Sequence, residues 1–300
     1  MACIVVLGSA NMDLVVRQER LPRPGETMFG TSFTTVPGGK GLNQAVAAAR
    51  AGGDVAFVGA VGRDAFGAEL RDCLTREGID DAGLVEVEPP TGIAAISVVD
   101  GGENSIVVVS GANDAITSLD EATLSSIDEG CYLVAQFERP LGLVREALDF
   151  AHRMGGTTVV TPAPVKSVDD AFLALVDYLV PNAGEACELA GVAHTDDAAE
   201  TQAALELSRR GPTVVMTRGS RGALVARGGE IVLEVPARKV DAVDTTAAGD
   251  TFVGVLVAVL ADGGSLESAL HAATAAASIS VTREGATTSM PTWPEIAAIL

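Results

Sequence analysis

Asp244 and Asp250 bracket a run of small residues, "DTTAAGD", and a long apolar segment, "TFVGVLVAVLA", follows at once. Small residues ahead of a helix leave its first amides open to a ligand, and the helix dipole favours negative charge there. Amides placed in this way can stabilise charge developing on a phosphoryl group in transfer. Asp250 would fall in the first helical turn, where a carboxylate can take the proton of an attacking hydroxyl. The plainer account is that Asp250 only complements the dipole, an effect of about 0.3–1 kcal/mol. A second place of this kind is "PGGKGLNQA", Pro37 to Ala45. It is not a Walker phosphate loop, because no Gly lies five residues before Gly39, and Gly41 stands where Ser or Thr should follow Lys40. It is a glycine-rich turn opening a helix, with Lys40 and Asn43 as donors beside free amides. A solvated helix start with a stray lysine would account for that stretch equally well.

The elements that must position these residues alternate. "CIVVLGS" predicts a buried strand, "GLNQAVAAARAG" an Ala-rich helix ending at Gly52-Gly53, and "DVAFVGAVG" the next strand. Residues 64–78 read as a helix. Strand candidates follow at "YLVAQ" (132–136), "TTVVTPA" (157–163), "DYLVPN" (177–182) and "TVVMTRG" (213–219), with helical segments between most of them. The last third holds two Ala-rich helices, "TFVGVLVAVLADG" and "SLESALHAATAAASISVTREG". Such an order implies a mostly parallel sheet covered by helices on both faces. Two segments break the pattern. Residues 13–36 carry Pro and Gly turn signals and no helix, and residues 92–110 read as a hairpin turning at Asp100-Gly101-Gly102. Together they predict a small sheet projecting from a single domain of residues 1–300, as a lid or an oligomer interface.

Composition narrows the functions. The 300-residue chain is 48% hydrophobic and 20% charged, as a globular enzyme should be. Forty acidic against twenty basic residues give a net charge of −20, which disfavours nucleic acid or an anionic membrane as partner. An anionic ligand stays admissible, since backbone amides and a few cations suffice to bind it. Cys3, Cys73, Cys131 and Cys187 are dispersed without a CxxC pair, which fits reduced thiols in a cytoplasmic protein. The opening "MACIVVLGSANMD" has no basic leader and reads as a first strand. No apolar run approaches the roughly 20 residues that cross a bilayer. His152, His194 and His271 are too scattered to form a metal motif.

Taken in order, "GSANMD", "LPRPGET", "GGKGLNQA", "GAN" at 111–113, "LVPNAGE" at 179–185, "TRGSRGA" at 217–223 and "DTTAAGDTF" resemble the signatures of the PfkB family of carbohydrate kinases, and within it the ribokinase branch. The resemblance runs from Val5 to about Pro291. It implies a ribokinase-like three-layer α/β/α core with a mostly parallel central sheet and a small β-sheet lid. The implied activity is ATP-dependent phosphorylation of a sugar, D-ribose at its 5-hydroxyl. Deoxyribose, another sugar or a nucleoside are the alternatives, and a sugar-binding regulator without turnover is the rival from another class. Asn11, Asp13, Gly39, Lys40, Asn43 and Glu138 match sugar contacts, and paired acids and amides suit a polyol. Asn182, Thr217, Gly219, Ser220, Gly222 and Gly249 match nucleotide contacts. Asp250 matches the general base, and Ala247, Ala248 and Gly249 match the anion hole. Glu185, in the NxxE pattern of "NAGE", matches a residue that organises Mg²⁺ through water, although Asn182 and Glu185 would also make a helix cap. Asp244, Thr246, Ser280, Arg283, Gly285 and Ser289 match a monovalent-cation site that would take K⁺. The resemblance further implies a homodimer joined through the lid. Leu42, Val253 and Ala183 depart from the pattern, where alanine, asparagine and glutamate are usual.

Overall fold

Strand β1 (Cys3–Leu7) shows how the core acquires two faces. Side chains alternate along a strand, so Ile4 and Val6 enter one apolar cluster while Val5 and Leu7 enter another. All four are buried, and each contributes about 1.5–3 kcal/mol by leaving water. The computed structural model describes residues 3–101, 104–119, 127, 129–194 and 196–300. Among them, β1 pairs in parallel with β4 (Asp54–Gly62) on one side and β8 (Tyr132–Gln136) on the other. Outward from β8 lie β9 (Thr157–Thr161), β10 (Tyr178–Leu179) and β11 (Thr213–Thr217), all parallel. Beyond β4 lies β5 (Asp80–Val87), also parallel. The sheet ends in an antiparallel pair, β12 (Ala223–Arg227) and β13 (Glu230–Val235), giving the order β13-β12-β11-β10-β9-β8-β1-β4-β5.

One face is covered by α1 (Lys40–Arg50), α2 (Ala65–Arg76), α7 (Ala248–Ala261) and α8 (Leu266–Ser280). The opposite face carries α3 (Leu141–Arg153), α4 (Asp170–Leu173), α5 (Ala183–Ala190) and α6 (Asp197–Arg209). A short α9 (Trp293–Ala297) packs on α8 through Ile296. The expected three layers are present. The strand predictions at 157–163 and 177–182 ran too long. Pro162 and Pro181 have no N–H for the ladder, and the strands stop before them. Strand β5 and the β12–β13 hairpin were not anticipated, so the parallel sheet has an antiparallel edge.

The second sheet has the order β3-β2-β6-β7, from β3 (Ser32–Gly38), β2 (Asn11–Gln18), β6 (Gly92–Val99) and β7 (Asn104–Val109). β2 pairs antiparallel with β3 and parallel with β6, and β6 pairs antiparallel with β7. Of the predicted turn at 100–102, Asp100 and Gly101 lie between β6 and β7, and Gly102 lies outside the described residues. β2 leaves the core three residues after β1 ends, and β3 runs directly into α1. The polar residues at those junctions therefore sit where the two sheets meet.

Packing of α1 on α7 brings the two glycine-rich segments together. A Cβ on Gly254 would lie 2.5 Å from the Gln44 carbonyl oxygen and 2.6 Å from the Ala47 Cβ. Only glycine permits that approach, and it sets the start of α7 against the first turns of α1.

Candidate active site

Asp250 lies in the first turn of α7 and is 7% exposed. Both carboxylate oxygens are held by amides from α1. Asn43 Nδ2 donates to Oδ2 at 3.1 Å, and Gln44 Nε2 donates to Oδ1 at 2.9 Å. The carboxylate therefore has a fixed plane. Ala247, the helix cap, has φ 56, the left-handed region, and no other non-glycine among the described residues does so. An alanine held there costs about 1 kcal/mol or more. The Ala248 N–H reaches the Thr245 carbonyl oxygen at 3.3 Å, and the regular ladder begins at Thr251, which donates to the Ala247 carbonyl oxygen at 2.8 Å. The N–H groups of Gly249 and Asp250 fall before that rung, at the positive end of the dipole.

These amides face a cavity of about 220 Å³. Lys40, Asn182, Glu185, Thr217, Ala247, Ala248, Gly249 and Asp250 all line it, as do four residues not predicted: Thr161, Val180, Thr245 and Val253. Asn182 and Glu185 form a capping box on α5. The Asn182 N–H donates to Glu185 Oε2 at 2.8 Å, and the Glu185 N–H donates to Asn182 Oδ1 at 2.9 Å. The cap and a cation-organising role are compatible, since Glu185 Oε1 is left over. Gly219 and Ser220 form a helical turn after β11 that Gly222 closes, outside the cavity's lining.

On the lid side, Asn11 (3% exposed) accepts Asn113 Nδ2 on its Oδ1 at 2.7 Å, which leaves its own Nδ2 as a donor. Asp13 presses on Gly38, where a Cβ would stand 2.3 Å from Oδ2, so glycine is required. Burial, then the charges of Glu138 and Asp250, push the Asp13 carboxyl up to about 7. Glu138 Oε2 accepts Ser9 Oγ at 2.5 Å and the Lys40 N–H at 3.1 Å. Gly39 is the cap of α1 with φ 91, which turns the chain from lid to helix. The Lys40 ammonium stands among Asp250, Glu138 and Glu185. The Asp250 charge raises it above its ordinary range despite burial, which works the other way. Burial lifts the Glu185 carboxyl as well, outweighing the Asn182 amide and Lys40. One cation among four carboxylates leaves the cleft electronegative, so a bound polyanion requires further cations.

Of the six residues of the predicted cation site, Asp244, Thr246 and Gly285 are joined in one hydrogen-bonded group and Ser280 and Ser289 in another. Asp244 Oδ1 accepts the Thr246 N–H at 2.9 Å and its hydroxyl at 2.6 Å, and Oδ2 accepts the Gly285 N–H at 2.9 Å. Burial raises the Asp244 carboxyl, but these bonds prevail and hold it below the usual range. Ser280 Oγ and Ser289 Oγ lie 2.8 Å apart. The Arg283 side chain turns away to Glu295 at 2.6 Å, leaving only its backbone for this loop. Among the described residues no cluster of three His, Cys, Asp or Glu side chains could hold a metal by itself.

Sequence reasoning missed Ser9, Gln44, Asn113, Gln136 and Thr161. Gln44 and Asn113 lie inside motifs singled out above, so proximity to Asn43 and to "GAN" was the available signal. Ser9 lies inside "GSANMD", two residues before Asn11, so that motif was its signal, whereas Gln136 and Thr161 carried none.

Comparison with known proteins bears on this geometry. The family model described as "pfkB family carbohydrate kinase" matches residues 1–293. A ribokinase from Haemophilus influenzae is 40% identical over 298 residues, 97% of this chain and 96% of its own length. The chain belongs to the pfkB family of carbohydrate kinases. This pfkB-family chain is thus a phosphotransferase acting on a hydroxyl group. A ribokinase from Arabidopsis thaliana, solved with ribose and ATP, superposes with a TM-score of 0.93 at 30% identity, covering 99% of this chain and 98% of that one. A deoxyribokinase from Salmonella typhi is 34% identical over 294 residues, covering 96% of this chain and 95% of its own length. No helix among the described residues is long and apolar enough to cross a membrane.

Proposed function

We propose that this kinase transfers the γ-phosphoryl group of ATP to the 5-hydroxyl of D-ribose. The observation that carries the reading is the Asp250 carboxylate, fixed by Asn43 and Gln44 beside the start of α7, between the lid-side polar residues and the cavity. The sugar lies against Asn11, Asp13, Asn43, Glu138 and the Gly38–Gly39 turn, where acids accept from hydroxyls and amides donate to them. Asp250 takes the hydroxyl proton as the oxygen attacks, and the free amides of Gly249 and Asp250 receive the charge on the transferring group. Lys40, next to Asp250, adds a positive charge on the same path.

The triphosphate lies in the cavity along Asn182, Glu185 and Thr217. The loop carrying Gly219, Ser220 and Gly222 leads on to a second cavity of about 300 Å³. A Cβ at Gly222 would touch the Val235 carbonyl oxygen, and Val235, Pro236 and Thr274 line that space, with the buried Thr274 hydroxyl unpartnered. We place the adenine base there. Mg²⁺ fits the electronegative cleft: a single carboxylate, Glu185, has a spare oxygen, and this ion keeps several waters and binds mainly substrate phosphates. Bound there, it would neutralise phosphate charge. K⁺ fits the oxygen-rich loop of Asp244, Thr246, Ser280 and Ser289, with carbonyls from Arg283 and Gly285. Its charge would support the start of α7.

The lid also supports a homodimer. Its edge strand β7 is exposed throughout, with Ile106, Val107, Val108 and Val109 each half or more exposed. An apolar open edge of this kind is suited to pairing with a second copy. A reaction that consumes ATP, in a chain whose Cys73 and Cys187 are buried thiols, belongs in the cytoplasm.

The test is a panel of D-ribose, 2-deoxyribose, other pentoses, hexoses and nucleosides, with Mg-ATP, measured as ADP release with and without K⁺. The highest kcat/KM on ribose supports the assignment. A higher value on 2-deoxyribose, the substrate named for the Salmonella relative, would replace it.

A further inference from the structure

Behind Asp250 lies a run of buried amides that substrate contacts do not explain. Gln44 and Gln136 are both fully buried. Gln136, the last residue of β8, donates through Nε2 to Gln44 Oε1 at 2.7 Å, and Gln44 donates through Nε2 to Asp250 Oδ1 at 2.9 Å and to Thr161 Oγ1 at 3.3 Å. We propose that Gln136 and Gln44 form a one-way amide chain that presents an NH₂ group to Asp250, with Gln136 acting as the lock on the orientation of Gln44. Both are positioning residues, and the inference rests on Asp250 being the base.

The direction follows from donor and acceptor chemistry. An ionised carboxylate only accepts, so Gln44 must turn its NH₂ toward Asp250. Its oxygen then faces Gln136, which must donate in turn. That leaves the Gln136 oxygen pointing backward, and there it is buried without a partner. It packs at the end of β1, where a Cβ on Gly8 would come within 2.8 Å of it. A buried acceptor without a partner is unfavourable. If Gln136 turned over, two amide oxygens would meet, or Gln44 would follow and set its oxygen against Asp250. The unsatisfied oxygen at Gly8 is the consequence of keeping the order at the base.

Without the lock, Gln44 samples the inverted orientation, which turns Asp250 out of its plane and repels its charge. The cost therefore falls on turnover rather than on binding. Two variants test this with D-ribose and Mg-ATP. Gln136→Met keeps the length and removes the donor. It should lower kcat about tenfold, with both KM values within twofold. Gln136→Glu can donate only when protonated. Its kcat should approach that of the parent at low pH and fall progressively as pH rises, a slope the parent lacks. A kcat for Gln136→Met within twofold of the parent overturns the proposal, as does a Gln136→Glu profile parallel to the parent's. If Gln136→Glu does not fold, Gln136→Met decides alone, with its thermal midpoint as the check on folding. Full turnover in Asp250→Asn would instead overturn the assignment of the base. Parent-like Gln136 variants together with an inactive Asp250→Asn would overturn the lock alone and leave the base assignment standing.

Discussion

Asn43 Nδ2 and Asp250 Oδ2 belong to residues 207 positions apart in the chain and meet at 3.1 Å. The contact ties the glycine-rich start of α1 to the start of α7, and the Gly254 approach holds the two helices at that distance. Asn43→Ala should leave the fold intact and lower kcat/KM for ribose about 10²-fold, because it removes both a proposed sugar contact and a restraint on the Asp250 carboxylate. Steady-state kinetics alongside a thermal melt checks both parts.

Asp13 gives a pH dependence with a definite sign. Its carboxyl stands at about 7 in the folded protein against 3.8 for the free group. Below 7 the protonated form offers ribose one acceptor fewer, so KM for ribose should fall as pH rises from 6 to 8. Asp13→Asn should flatten that trend. Because the folded value is raised, the native state holds a proton that the unfolded chain releases above 3.8. Stability attached to this group therefore declines between about pH 4 and 7, by at most about 4 kcal/mol. The denaturation midpoint of the parent should drop over that window more than that of Asp13→Asn.

The cap that Glu185 makes and the cation role proposed for it can be separated by one substitution. Gln at 185 can still accept the Asn182 N–H and keep the cap, but it loses the charge. Glu185→Gln should hold its thermal midpoint within about 2 °C and need about 10–100-fold more Mg²⁺ for half-maximal rate. Asn182→Ala should instead cost about 1 kcal/mol of stability.

Asp244 organises the oxygen-rich loop, and its depressed carboxyl keeps it charged at any working pH. The parent should turn over faster in KCl than in choline chloride. Asp244→Ala should abolish the difference. A full K⁺ response in that variant would move the cation elsewhere.

The lid edge predicts assembly. Val107 is 65% exposed on β7. The parent should scatter light as a dimer at working concentration, and Val107→Lys as a monomer. A parent that is already monomeric would remove the lid edge as an interface.

Much of this architecture was legible in the sequence because it is local. The alternation of "CIVVL" marked a strand buried on both faces, and "GGKG" and "TTAAGD" marked helix starts open to ligands. The "ARGGEIVLEV" hairpin was missed although Gly228-Gly229 signalled a turn, because strands alternating with helices lead one to look for parallel pairing rather than for an antiparallel edge. Gln136 could not be found at all. Its role depends on Gln44, 92 residues away, and on the direction of an amide, which nothing in "YLVAQ" encodes. Nor does "TTAAGD" reveal that Ala247, rather than a glycine, takes the left-handed turn.

The most direct measurement is ADP release by Asp250→Asn with D-ribose and Mg-ATP, beside ribose affinity by calorimetry. A carboxamide fills the same space and cannot take the hydroxyl proton. Turnover should fall about 10³-fold while the ribose Kd stays within about threefold of the parent's. Turnover at the parent's rate would contradict the account.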